Sequence, residues 1–132
     1  MPGKIRRNMN RKSTGNEFVD KLMAMSDAKP LYAQNLLTTD IAAKIYPLEG
    51  NERIQDPIVA LKLFNPTGDG TWYIWAIDPE TGYMYGVTDL HGEQEMGLIA
   101  LSEIRAYRGR FGLGIERDQH FQPKPLSQIL KE

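Results

Sequence analysis

The sequence predicts an α+β fold: a small antiparallel sheet of about five strands, connected as a meander, with helices packed on one face. Three observations carry this. Apolar residues recur at helical spacing in the first third of the chain. From residue 58 the period shortens to that of strands, and clusters of Gly, Pro, Asn and Asp separate the apolar runs. The 132 residues suit one domain and suffice for one core without covalent staples. There is no cysteine, which excludes a disulfide framework, a thiolate nucleophile and a cysteine zinc site.

Residues 1–15 have little apolar content and read as a basic, unstructured arm ahead of one domain over 16–132. "NEFVDKLMAMSD" (16–27) predicts a helix with Asn16 as N-cap and Phe18, Leu22 and Met25 on one face, widened by Val19 and Met23. "LTTDIAAKIYP" predicts a second, capped by Thr38 or Thr39 and ended before Pro47. "IVALKLF" (58–64) is the first strand and "TWYIWAID" (71–78) the second, the most β-prone run in the chain. "DPETG" (78–82) reads as a tight hairpin in which Pro79 presets a dihedral and Gly82 takes the left-handed position. "YMYGVTDL" (83–90) returns, "HGEQEM" turns again, and "GLIALS" (97–102) is the fourth strand. "LSEIRAYRG" (101–109) predicts a helix capped by Ser102 and stopped at Gly109. "GIERDQHF" is the fifth strand, and a short helix starts from Ser127.

Strict alternation in "TWYIWAID" points Trp72, Ile74 and Ala76 one way and Tyr73, Trp75 and Ile77 the other. Both sets are apolar, and the remaining elements suffice to cover one face. An open face carrying Tyr73, Trp75, Tyr83 or Tyr85 is therefore the predicted surface for a protein partner.

The formal net charge of −1 hides an asymmetry. Residues 1–12 carry Lys4, Arg6, Arg7, Arg11 and Lys12 and no acid, a charge of +5, while the rest carries 11 basic and 17 acidic residues, a charge of −6. The plainer reading of the arm is a solvated tail. The functional ones are contact with phosphates or an acidic partner, or folding back onto the acidic body. Arg105, Tyr107, Arg108, Arg110 and Phe111 form an arginine–aromatic group suited to stacking bases and holding phosphates. Cations at a helix C-terminus beside a core aromatic are the preferred reading, since an acidic body disfavours a large DNA footprint.

If "GIERDQHF" is a strand, Glu116, Asp118 and His120 share one face, and Asp89 and His91 could join them. His91, Asp118 and His120 are then a candidate metal set for a metal-assisted hydrolase. A solvated strand face, with Arg117 pairing a carboxylate across strands, is the simpler reading. Gly112-x-Gly114 lacks the following Lys-Ser/Thr of a phosphate cradle and reads as a bend. No cofactor is indicated. No apolar run approaches the ~20 residues of a spanning helix, and no apolar segment of signal type follows the basic start. The expectation is a cytoplasmic protein.

The ordered series "DPIVALKLF", "TWYIWAID", "YMYGVTD", "GLIALSEI" and "YRGRFGLGIERDQHFQPKPLSQI" resembles the bacterial family called domain of unknown function 2958, over about residues 35–130. The most specific part is "RGRFGLGIERDQHF" followed by "PKPLS": Arg108–Gly109, then 112–118, then the aromatic Phe121. The resemblance implies an accessory protein of a mobile genetic element, carried on plasmids, integrative elements or phage-like regions. It brings no established activity or catalytic residues. The leading expectation is a non-enzymatic domain that binds a protein partner through the sheet face or edge. A nucleic-acid-binding protein using the arm with Arg105, Arg108 and Arg110 comes second, and the hydrolase third.

Overall fold

The computed structural model describes residues 13–51 and 53–130. Helix α1 spans Glu17–Ala28, with the Asn16 side chain accepting the Val19 N–H as its cap. Ser13 and Thr14, placed in the arm by sequence, donate to Asp20 and hold its carboxyl below the ordinary range, the Ser13 hydroxyl first and Thr14 after it. Helix α2 is a single turn, Thr39–Ala42, capped by Thr38. It stops well short of Pro47, because Tyr46–Pro47 (β1) instead pairs in parallel with β4.

The strands are β2 (Ile58–Val59), β3 (Leu61–Phe64), β4 (Thr71–Ile77), β5 (Tyr83–Leu90), β6 (Glu93–Ala100), β7 (Glu116–Arg117) and β8 (Lys124–Pro125). The main sheet runs β6-β5-β4-β3-β7, with β1 along the part of β4 that β3 leaves free. β3 to β6 form the expected antiparallel meander, and the fold is α+β. β2 and β8 pair separately.

Several local expectations are corrected. β6 begins at Glu93 because His91 and Gly92 alone make the turn, both at positive φ, the signature of a two-residue hairpin loop. Helix α3 (Leu101–Ala106) starts directly from that strand, and Ser102 lies inside it rather than capping it. The Ser127 helix is a 3₁₀ turn over Leu126–Gln128, and Ser127 donates through its N–H and hydroxyl to Asp56. The fifth strand ends at Arg117, where the Asp118 carboxylate accepts the His120 N–H and turns the chain.

The alternation within β4 also breaks. The register slips between Ile74 and Ala76, a bulge that puts Trp75 and Ala76 on one face and sends Ile77 to the face of Ile74. Gly86 sits opposite. A Cβ there would lie 2.0 Å from the Tyr73 carbonyl oxygen, so the strands approach this closely only with glycine.

Helices α1 to α3 cover the face of Leu61, Leu63, Ile74, Ile77 and Met84. The other face is covered too. Leu126, Phe121 and Ile129 of the C-terminal segment, with Tyr46 and Leu48, pack over Trp75, Ala76 and Val87. Trp75 is 1% exposed. No described helix is long and apolar enough to cross a membrane.

Candidate interaction surface

The covered face leaves one strip open. Cross-strand partners share a face, and β6 pairs with β5 through Tyr83↔Ala100, Tyr85↔Leu98 and Val87↔Met96. The C-terminal segment reaches Val87 and, through the Ile129 carbonyl, the Gln94 side chain near the start of β6, but it leaves the later part of that strand bare. Met96 is 51% exposed, Leu98 62% and Tyr83 48%. Tyr85 is half-buried against Trp75, their rings edge-to-face at 5.6 Å. Tyr73 is likewise half-buried, 6.1 Å from the Phe121 ring. Of the four aromatics expected on an open face, Tyr83 therefore stands out, Tyr73 and Tyr85 are partly covered, and Trp75 is core. Beside this strip, no strand lies along the outer side of β6 among the described residues.

On the helix side of the same strands lies a groove of about 440 Å³. Trp72, Thr88 and Ile99 form its floor, Ile104 and Tyr107 its wall, and Leu90 its far end. Asp69 and Glu103 supply carboxylates. Helix α3 is too short to extend over this end of the sheet, which is why the groove is there. Gly97, on its floor strand, has nothing within 4 Å of where a Cβ would stand.

The segment after α3 is built as a rigid turn. Gly109 N–H donates to the Leu113 carbonyl at 2.7 Å, and Gly112 N–H to the Gly109 carbonyl at 3.1 Å. Arg108 Nη1 donates to the Arg105 and Tyr107 carbonyls, and its guanidinium stacks 4.3 Å from the Tyr32 ring centre. Gly114 is required at the return, since a Cβ would fall 2.7 Å from that of Tyr32. At the tip Phe111 is 88% exposed and has φ 60°, a left-handed conformation that costs a bulky side chain of order 1–3 kcal/mol. Arg110 lies 6.0 Å from its ring centre.

The candidate nucleic-acid arginines are thus divided. Arg108 is committed to the turn, and Arg105 Nε donates to the Pro30 carbonyl. Arg110 is exposed. Lys4, Arg6, Arg7, Arg11 and Lys12 lie outside the described residues.

The candidate metal residues are not brought together by a strand. His91 sits in the β5–β6 turn, its Nδ1 2.7 Å from Asp69, which also accepts the His91 N–H. Asp118 is at the opposite part of β3, its N–H donating to the Lys62 carbonyl and its carboxylate 3.3 Å from Lys62 Nζ. His120 is exposed in the turn beyond. Among the described residues no group of three or more His, Asp or Glu side chains is placed to hold a metal ion. Asp89 pairs with Gln94 and Glu116 with β3. Arg117 is half-buried, and burial lowers its pKa. Its Nη1 donates to the Asn35 carbonyl, and its N–H donates to the Gln34 side chain.

Sequence reasoning passed over Met96, which it placed in a turn, and Leu98, which it placed in the fourth strand without singling it out. The signal available was a polar start, "EQEM", running directly into an apolar strand, as an edge strand does.

Residues 34–132 match the family described as Protein of unknown function (DUF2958). Helix α1 precedes the matched region, yet supplies Val19, Leu22, Met23 and Met25 to the core. No curated protein and no solved structure matches this chain.

Proposed function

The chain belongs to the family of proteins of unknown function DUF2958, and we propose that it is an interaction domain that takes up an extended segment of a protein partner along β6. One observation carries this reading: among the described residues an eight-residue strand is paired on one side only, and exposed apolar side chains line that edge. Sheets ordinarily blunt such an edge with charge, a bulge, proline or a covering loop, because it invites pairing. β6 has Glu93 and Glu95 at its start, but its second half reads Met-Gly-Leu-Ile-Ala. A partner strand would satisfy the outer backbone groups of β6 and set alternate side chains against Met96, Leu98 and Tyr83.

The test is selection of extended peptides from a displayed library against the intact protein, followed by hydrogen exchange. Selected peptides should protect β6 amides. Met96→Lys and Leu98→Lys should each weaken them about tenfold or more, while stability stays within about 0.5 kcal/mol of wild type, as for exposed sites. Peptides that protect other elements and ignore both substitutions would sink the reading.

A further inference from the structure

The groove and the 110–112 turn flank one segment: Tyr107 stands in the groove wall, and Phe111 projects from the turn that follows α3. Phe111 is held out at 88% exposure with left-handed backbone, in a turn closed by its own hydrogen bonds and seated by Arg108 on Tyr32. Strain of this kind persists where the surrounding structure imposes it, and it concentrates at binding elements. With Arg110 beside the ring, the projection is an apolar tip with a cationic collar. The groove is its complement in both respects. Its interior is apolar, from Trp72, Leu90, Ile104 and Tyr107, and it carries the carboxylates of Asp69 and Glu103. At about 440 Å³ it has room for an aromatic ring.

We infer that the Phe111 ring of one copy of this chain seats in the groove of a second copy, with Arg110 against Glu103 and Asp69. Tip and groove are neighbours on one molecule, so a single two-fold axis engages both pairs at once and closes the assembly as a dimer. The groove opens on the helix side of the sheet and reaches Leu98 and Ala100 of β6, but Met96 is not among its lining residues, so Met96→Lys separates this inference from the β6 reading. Aromatic residues and arginine are enriched at interface cores, and anchors that fill a desolvated pocket carry most of the binding energy.

Analytical ultracentrifugation of the full chain over a concentration series tests this. Wild type should show a monomer–dimer equilibrium. Phe111→Asn suits the left-handed backbone. It should raise the dimer dissociation constant tenfold or more, roughly the effect of losing a hot-spot residue, and should melt no lower than wild type. Arg110→Glu should weaken the dimer alone, and Arg110→Glu with Glu103→Arg should recover most of the loss. A monomer at every concentration up to several hundred micromolar overturns the inference. So does a dimer indifferent to Phe111→Asn, or one broken by Met96→Lys alone.

Discussion

Along β7 the outer edge of the sheet is two residues long and closed, whereas along β6 it is eight residues long and open. The closing of β7 is done by irregular chain: Gln34 takes the Arg117 N–H, and the Asn35 carbonyl takes the Arg117 guanidinium. Beyond Arg117, Asp118 continues the ladder for one more bond to Lys62 and then turns away. β6 has no such cover among the described residues, although the C-terminal segment comes close enough for Gln94 Nε2 to donate to the Ile129 carbonyl. Edge protection is therefore applied selectively within one sheet. The edge left open is the longer one and the one with apolar side chains.

Gly86→Ala should disturb both edges at once and have the largest effect. Gly86 joins the two halves of the sheet, pairing with Ile74 on one side and Gly97 on the other. An added Cβ 2.0 Å from the Tyr73 oxygen forces the β4–β5 ladder apart. A loss of about 3 kcal/mol is expected in urea unfolding, at the upper end for overpacking. Hydrogen exchange should show both edges losing protection together. Unchanged stability would mean that the strands can separate here without cost.

Opening the covered edge alone should cost less. Arg117→Ala removes a half-buried charged donor from the Asn35 carbonyl. The expected loss is about 2 kcal/mol, the scale of a hydrogen bond to a charged group. Faster exchange should be confined to β3 and the 34–35 segment, with β6 unchanged. Arg117→Met, which keeps the apolar stem, should recover less than half of the loss if the hydrogen bond is the main contribution.

What the sequence made legible in these two edges follows from how each is built. The meander was readable because apolar runs alternate with turn chemistry, and "DPETG" forms the expected turn, with Gly82 at φ 80° and its N–H on the Asp78 carbonyl. The β4 bulge was hidden, since Trp75 and Ala76 look like any alternating pair, and Gly86 alone hints at the close approach. "GIERDQHF" alternates like a strand, but local capping by Asp118 outcompetes the ladder after Arg117. This is why His120 does not join Glu116 and Asp118, which lie opposite Phe64 and Lys62 of β3. The cover over Trp75 was illegible for another reason. Residues 121–129 hold two prolines and only short structure, so no periodicity announces that Phe121, Leu126 and Ile129 pack on the sheet. Nor does periodicity say that Phe111 faces water, since that depends on the glycine-built turn around it.

The finest adjustment of the covered edge lies in the Lys62–Asp118 pair, and pH should resolve it. Burial pushes the Asp118 carboxyl up, but the His120 N–H and the Lys62 ammonium, through hydrogen bond and charge, outweigh it with a smaller contribution from His120 charge. The carboxyl is left below its ordinary value. A carboxylate whose folded pKa is depressed contributes stability that is complete above the unfolded pKa, about 4. That contribution disappears as pH falls through the lower folded value. Wild type should therefore exceed Asp118→Asn by at most about 1 kcal/mol at neutral pH, the scale of a largely solvated ion pair. The gap should narrow in urea unfolding as the medium is acidified below the ordinary carboxylate range. A gap that stays constant into strong acid would assign the role to the shape of the side chain and its neutral hydrogen bonds. A gap that closes would show that charge helps hold the short edge shut, and would leave the long edge, which has no such pair among the described residues, insensitive to the same change.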